Sequence, residues 1–165
     1  MFTALALFIT TQAFAVNKDT AQTKSATWSS ASPFTSITVS NDIDIILVED
    51  NSTVIKVQGK DLLVDAIRLE VIKGELKVSS LKQSVRHKVT VLIPVNRLQQ
   101  LTVRGSSKIS SLGVLNSPKL KVNIAGDCIV HVTTIGAIDV DSDYNYDYVY
   151  NKNKTQRIQV IERVL

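Results

Sequence analysis

The chain has a single cysteine, Cys128, in 165 residues. An intramolecular disulfide is therefore excluded, and no Cys/His spacing for a structural zinc is present. Aromatic residues make up only 5% of a chain that is 44% hydrophobic, so its core must be aliphatic. Six Gly and three Pro are too few for collagen-like or low-complexity sequence. Phosphate-binding loops, dinucleotide fingerprints and the G-x-S-x-G elbow are all missing, which argues against nucleotide-dependent and serine-hydrolase chemistry. Past residue 15, no apolar run approaches the about 20 residues that a membrane helix needs. Acidic residues are absent between 76 and 126, although the net charge of the whole chain is only +4.

What is present is Val, Ile and Leu at alternating positions, the signature of pleated strands with one buried face. Residues 1–15 end in Ala13-Phe14-Ala15, the small-x-small pattern of a signal-peptidase site, so cleavage after Ala15 and export are expected. The n-region carries no Lys or Arg, which departs from the usual pattern; a buried N-terminal element is the alternative. Residues 16–33 are polar, lack periodicity and read as a flexible linker, with Trp28 packed on the domain edge. Residues 34–150 read as one β domain. A single helical turn is expected within 61–67, a hairpin turn at 73–75, and a strong strand over 88–93 that Pro94 ends. Residues 151–165 form a basic C-terminal tail or an edge strand.

Beyond Pro94 the sequence partly repeats. Leu101, Val103 and Gly105 match Val122, Ile124 and Gly126 at a spacing of 21 residues, and Ile138, Val140 and Ser142 follow at 16. Short strands that end at small residues suit the rungs of a solenoid, in which inward aliphatics stack from rung to rung. The expected fold is all-β, a right-handed parallel β-helix-like solenoid with a less regular N-terminal β half. An antiparallel β-sandwich is the alternative.

Two stretches are candidates for recognition. The acid-free span carries nine cations, Arg86, Lys88, Arg97 and Arg104 among them. Such segregation builds a positive face for anionic partners; the plainer alternative is that these charges alternate outward and are simply solvated. Between residues 139 and 151, Tyr144, Tyr146, Tyr148 and Tyr150 fall on one strand face, with Asp139, Asp141, Asp143 and Asp147 on the other. The tyrosines offer a platform for sugar or protein, or else cap the core.

Asp141, Asp143, Asn145 and Asp147 have the spacing of half a calcium loop. However, Tyr146 stands where the turn glycine belongs, Lys152 replaces the bidentate Glu, and an extended strand spreads the carboxylates; no metal or other cofactor is expected. His87 and His131 have no evident acid partner for a catalytic triad. The basic span lacks interleaved aromatics, so nucleic acid is not an expected partner.

The opening F-x-x-I-x-V at residues 34–39, the GELKV turn at 74–78, the V-x-I-P-x-x-x-L-x-x-L-x-V segment at 91–103 and the repeated small-residue corners resemble the head GIN domain family of bacterial envelope proteins. That family is associated with auto-transporter adhesins. The resemblance covers residues 34–144. Family corners are usually fuller Gly-Ser-Gly; here they are reduced to residues 105–107, 126–128 and 141–143. It implies a β-helix-like fold, export to the periplasm or cell surface, and no catalytic residues. The function expected is a non-enzymatic adhesin or envelope-surface module for an anionic glycan or an envelope protein. Alternatives are a structural or sensing envelope protein acting by self-assembly, and a polysaccharide-acting β-helix enzyme built on carboxylate, Arg and Lys clusters.

Overall fold

Branched aliphatic side chains at every second position commit most of the chain to strands. The computed structural model describes residues 23–30, 32–82, 88–126, 128–142, 147–148 and 156–161. The first half comprises β1 (Thr23–Ser29), β2 (Ser36–Ser40), β3 (Ile43–Glu49), β4 (Val54–Lys60), α1 (Asp61–Val64), β5 (Ile67–Ile72), β6 (Glu75–Ser80) and β7 (Val89–Val95). The second comprises β8 (Gln100–Arg104), β9 (Lys108–Leu115), β10 (Lys119–Ala125), β11 (Ile129–Thr134), β12 (Ala137–Ser142), β13 (Asp147–Tyr148) and β14 (Gln156–Ile161). The signal peptide expected over residues 1–15 lies outside the described residues. No helix among the described residues is long and apolar enough to cross a membrane.

The fold is all-β, in two mixed sheets. Sheet I has the order β1-β4-β7-β3-β9-β11-β14-β13, and sheet II the order β12-β10-β8-β2-β6-β5. Their centres are parallel: β7, β3, β9 and β11 run together in sheet I, and β12, β10, β8, β2 and β6 in sheet II. Antiparallel pairs lie towards the edges, β1 with β4, β4 with β7, β5 with β6, and β14 with both β11 and β13. The inner faces of both sheets share one aliphatic core, from Ile37 and Val39 through Ile45, Leu47, Leu101 and Val103 to Val130 and Val132. Trp28 and Phe34 are only partly buried at its margin.

Three times the chain passes from sheet II to sheet I by a tight corner: β2 to β3, β8 to β9, and β10 to β11. The corners stack. Asn41, Gly105 and Gly126 each take positive φ, at 73°, 101° and 117°. The Asn41 N–H donates to the Arg104 carbonyl at 3.1 Å, and the Gly105 N–H to the Ala125 carbonyl at 3.0 Å. Each corner thus hangs on the next one. Asn41 was not legible as a corner residue, although asparagine is one of the few non-glycine residues that enters this region readily. The buried Ser107 closes the first two corners, donating its hydroxyl to the Asn41 carbonyl at 2.6 Å and accepting the Ile43 N–H at 3.2 Å.

The 21-residue repeat is the true strand register, with Leu101 opposite Val122 and Val103 opposite Ile124. The next spacing is 18 rather than 16, since Leu120 faces Ile138 and Val122 faces Val140. A slip of two residues keeps every side chain on its face, so alternation alone does not distinguish the two registers. Ser142 consequently pairs with Ile124 and does not take the corner position of Gly126.

Two further expectations are corrected. Pro94 does not end its strand but lies inside β7, opposite Val48 of β3. On its other side β4 pairs with β7 only as far as Leu92, so the missing proline N–H breaks no bond to β4. Within the 16–33 stretch read as linker, β1 pairs along its whole length with β4. Its inward side chains include only Ala26 and Trp28 as core contacts, too weak a period to read from sequence. Lys24 ties β1 to the end of α1 through a hydrogen-bonded ion pair with Asp65 at 2.5 Å.

Candidate binding face

The two sheets turn very different outer faces to solvent. In sheet II the register lines up Glu70, Lys77, Thr38, Thr102, Asn123 and Asp141 across six strands. The adjoining row runs Ile72, Glu75, Ser36, Gln100, Lys121 and Asp139. Apart from Ile72 these rows are polar. Side-chain bonds stiffen them: across strands, Asn123 Nδ2 donates to Thr102 Oγ1 at 3.3 Å and Thr38 Oγ1 to Glu75 Oε1 at 2.5 Å, and within β8 Gln100 Nε2 donates to Thr102 Oγ1 at 3.4 Å.

Sheet I instead presents an apolar band. Ile46 lies opposite Leu92, and Val48 lies between Pro94 and Leu112. Leu112 is 67% exposed, at a bulge where the β9–β11 register shifts, and Val114, two residues on, is also exposed. Gly113 at positive φ and the Ser111 hydroxyl, which accepts the Thr133 N–H at 3.0 Å, shape that bulge.

Two depressions open on the side of sheet II. The first, of about 420 Å³, is lined by Thr38, Ser40, Arg68, Glu70, Glu75, Lys77, Ser79 and Arg104, with the backbone of Val78. Its floor is made of half-buried hydroxyls from Thr38, Ser40 and Ser79; its rim is the exposed Arg68, Glu70, Lys77 and Arg104. Arg68 is held by its own strand, with Nη1 donating to the carbonyls of Asp65 and Ile67 at 3.0 and 3.1 Å. No ion pair forms among the four rim groups, so three cations and one carboxylate face solvent, with Glu75 engaged by Thr38. The second depression, of about 660 Å³, is lined by Arg97, Gln99, Pro118, Lys119, Lys121 and Asp139. Lys121 there pairs with Asp141 of the neighbouring strand at 3.7 Å.

The cations singled out in the sequence are distributed over this geometry. Arg104, the last residue of β8, reaches the first depression, whereas Arg97, which precedes β8, borders the second at the opposite end of the strand. Lys88 lies at the corner end, donating to the Ser106 carbonyl at 3.1 Å and pairing with Asp44 at 3.6 Å. Arg86, Tyr144 and Tyr146 lie outside the described residues. Tyr148 lies in β13, its backbone opposite Val160. Much of the calcium-like series at 141–147 also lies outside them. Among the described residues, no group of three or more His, Cys, Asp or Glu side chains is arranged to hold a metal. Cys128 is buried in the aliphatic core.

Sequence reasoning missed Arg68, Glu70 and Glu75. The hairpin turn at residues 73–75 carried a usable signal, because it sets Glu70 opposite Lys77 and Arg68 opposite Ser79. No signal in the sequence reaches across β2 to bring Arg104 beside them.

Among solved structures, the chain is similar to one from Parabacteroides merdae described as a putative adhesin. The TM-score is 0.59 and the identity 17%, over 74% of this chain and 53% of that one. A second putative adhesin, from Bacteroides fragilis, gives a TM-score of 0.49 at 18% identity, over 72% of this chain and 61% of that one. A protein from Parabacteroides distasonis, described as a putative lipid binding protein, gives 0.46 at 18% identity, over 75% and 61%. The chain therefore spans only about half to three fifths of the length of these structures. No curated protein matches the sequence. Residues 33–147 match the family described as "Putative auto-transporter adhesin, head GIN domain", and the chain belongs to that family.

Proposed function

We infer that the chain is an exported, non-enzymatic binding module of the adhesin type, acting at the cell envelope through the outer face of sheet II. The observation that carries this reading is the contrast in that face. Beneath it lies a closely packed aliphatic core, while above it polar rows run across six strands and open into two cation-bearing depressions. Strands in register fix the backbone from which these side chains project, so no backbone ordering is added on binding. Cations outnumber carboxylates in both depressions, which favours an anionic glycan or an acidic envelope protein. In this reading Arg97 and Arg104 contact ligand, and Lys88 braces the corner beside Arg104. The stacked β8–β9 and β10–β11 layers and the parallel β12 act as a short solenoid that keeps the face flat.

Purified protein should bind acidic envelope polysaccharide on a glycan array, and the binding should weaken as salt rises. Binding that is indifferent to salt, or equal for neutral glycans, would sink the electrostatic version of the reading. A second reading, self-assembly in the envelope, draws on the apolar band of sheet I at Val48, Leu112 and Val114. Concentration-dependent association in sedimentation velocity, abolished by Leu112→Ser, is its expected signature; a strictly monomeric profile at all concentrations removes it.

A further inference from the structure

We propose that the depression bounded by Arg68, Lys77 and Arg104 is a binding site for a carboxylated sugar, such as a uronic acid residue in a polysaccharide. The proposal rests on the reading of sheet II as the binding face and deepens it by naming the ligand chemistry. Three observations converge on it.

The first is charge. Three cations and two carboxylates line the site, so it carries a net positive charge, and none of Arg68, Lys77 or Arg104 forms an ion pair among the described residues. An exposed arginine offers a planar fork of donors that fits a carboxylate in bidentate fashion. The second is the floor. Thr38, Ser40 and Ser79 present half-buried hydroxyls, spaced by the strand repeat, which both donate to and accept from sugar hydroxyls. The third is the pair of acids. Glu70 and Glu75 are acceptor-only groups, and a ligand that is merely an anion would be repelled by them. A sugar acid resolves the conflict, because its carboxylate goes to the arginines while its hydroxyls donate to the glutamates. A simple sulfate has no such donors to offer. The volume, about 420 Å³, falls within the usual range for a small-ligand site.

Rigidity supports the same assignment. Arg68 is oriented by the two carbonyls it caps, and Thr38 orients Glu75. Arg104 occupies the strand position just before the stacked corner at Gly105, with its own carbonyl bound by the Asn41 N–H. The groups that would meet the ligand are thus built on strands held in register by the corner ladder.

The test is isothermal titration of the whole chain with a glucuronate-containing oligosaccharide, with the same oligosaccharide after reduction of its carboxyl groups, and with a sulfated neutral oligosaccharide. Saturable binding of the first alone is expected. Arg104→Gln and Lys77→Gln should each weaken it by about 10- to 100-fold, as loss of a charge-assisted hydrogen bond does. Lys56→Gln, which removes the same charge from sheet I, should leave affinity unchanged. Both binding-site positions are exposed, so unchanged melting temperatures are expected to accompany the affinity losses. Equal binding of the sulfated and uronate ligands, or an equal loss in Lys56→Gln, overturns the site as a carboxylated-sugar site. Binding of the carboxyl-reduced oligosaccharide that is insensitive to Arg104→Gln overturns the carboxylate assignment but leaves sheet II as a glycan face. Failure of all three ligands to bind overturns both.

Discussion

At the residue scale the tightest constraints are at two glycines. A Cβ on Gly136 would lie 2.0 Å from the Pro118 carbonyl oxygen, with backbone that cannot move without unseating the β9–β10 connection. A Cβ on Gly126 would lie 2.8 Å from the Gly105 nitrogen, and φ there is +117°, so sterics and backbone strain act together. Gly136→Ala and Gly126→Ala are each expected to cost about 2–3 kcal/mol, read as a lower urea midpoint at unchanged slope. Ser117 is the converse case. Its hydroxyl is fully buried and has no hydrogen-bond partner among the described residues. Ser117→Ala removes a desolvated polar group without opening a cavity of any size, and should stabilise the protein by about 1 kcal/mol. An unchanged or lowered midpoint would contradict that account.

At the element scale, β1 is the strand added at one edge of sheet I. It pairs only with β4 and is pinned to α1 by Lys24 and Asp65. The hydrogen bond to Asp65, opposed by partial desolvation and aided by the charges of Asp65 and Asp61, raises the Lys24 pKa above its ordinary value. A group whose folded pKa is raised contributes stability that is complete below its unfolded pKa and is lost as pH climbs through the folded value. The β1 amides should therefore keep the ion pair's small share of their hydrogen-exchange protection through neutral and mildly alkaline pH and lose that share in strong alkali. In Asp65→Asn, protection in β1 should fall only about two- to five-fold, as loss of an exposed ion pair does, while the central β3 and β7 are unchanged. Uniform loss across all strands would show that β1 is not a separate local unit. The same scale explains Pro94: a proline inside β7 is tolerated because β4 stops short of it, a fact of strand length rather than of local sequence.

For the whole molecule, burial divides otherwise similar leucines into two classes. Leu101 is fully buried at the centre of the shared core, and Leu112 stands 67% exposed on the bulge of sheet I. Leu101→Ala should cost about 3 kcal/mol through lost burial and the cavity left behind. Leu112→Ser should change stability by no more than about 0.5 kcal/mol. Comparable losses in chemical denaturation would mean that Leu112 packs against something in solution.

The strand-rich class, the aliphatic core, the hairpin at residues 73–75 and the 21-residue register were all written in the sequence, because period-two alternation, turn glycines and local spacing are properties of contiguous residues. The head GIN domain family was legible for the same reason, through motifs such as GELKV. The tertiary structure alone decided the 18-residue register, the place of Pro94 inside a strand, the Asn41 corner and the separation of Arg97 from Arg104. It also decided that Arg104 lines one depression with Lys77, which lies beyond β2, and Arg68, which lies beyond β2 and β6. Alternation fixes which face a side chain takes but is blind to a shift of two residues. The order in which strands stack is set by corner geometry and core packing between residues far apart in the chain, and so cannot be read from neighbours.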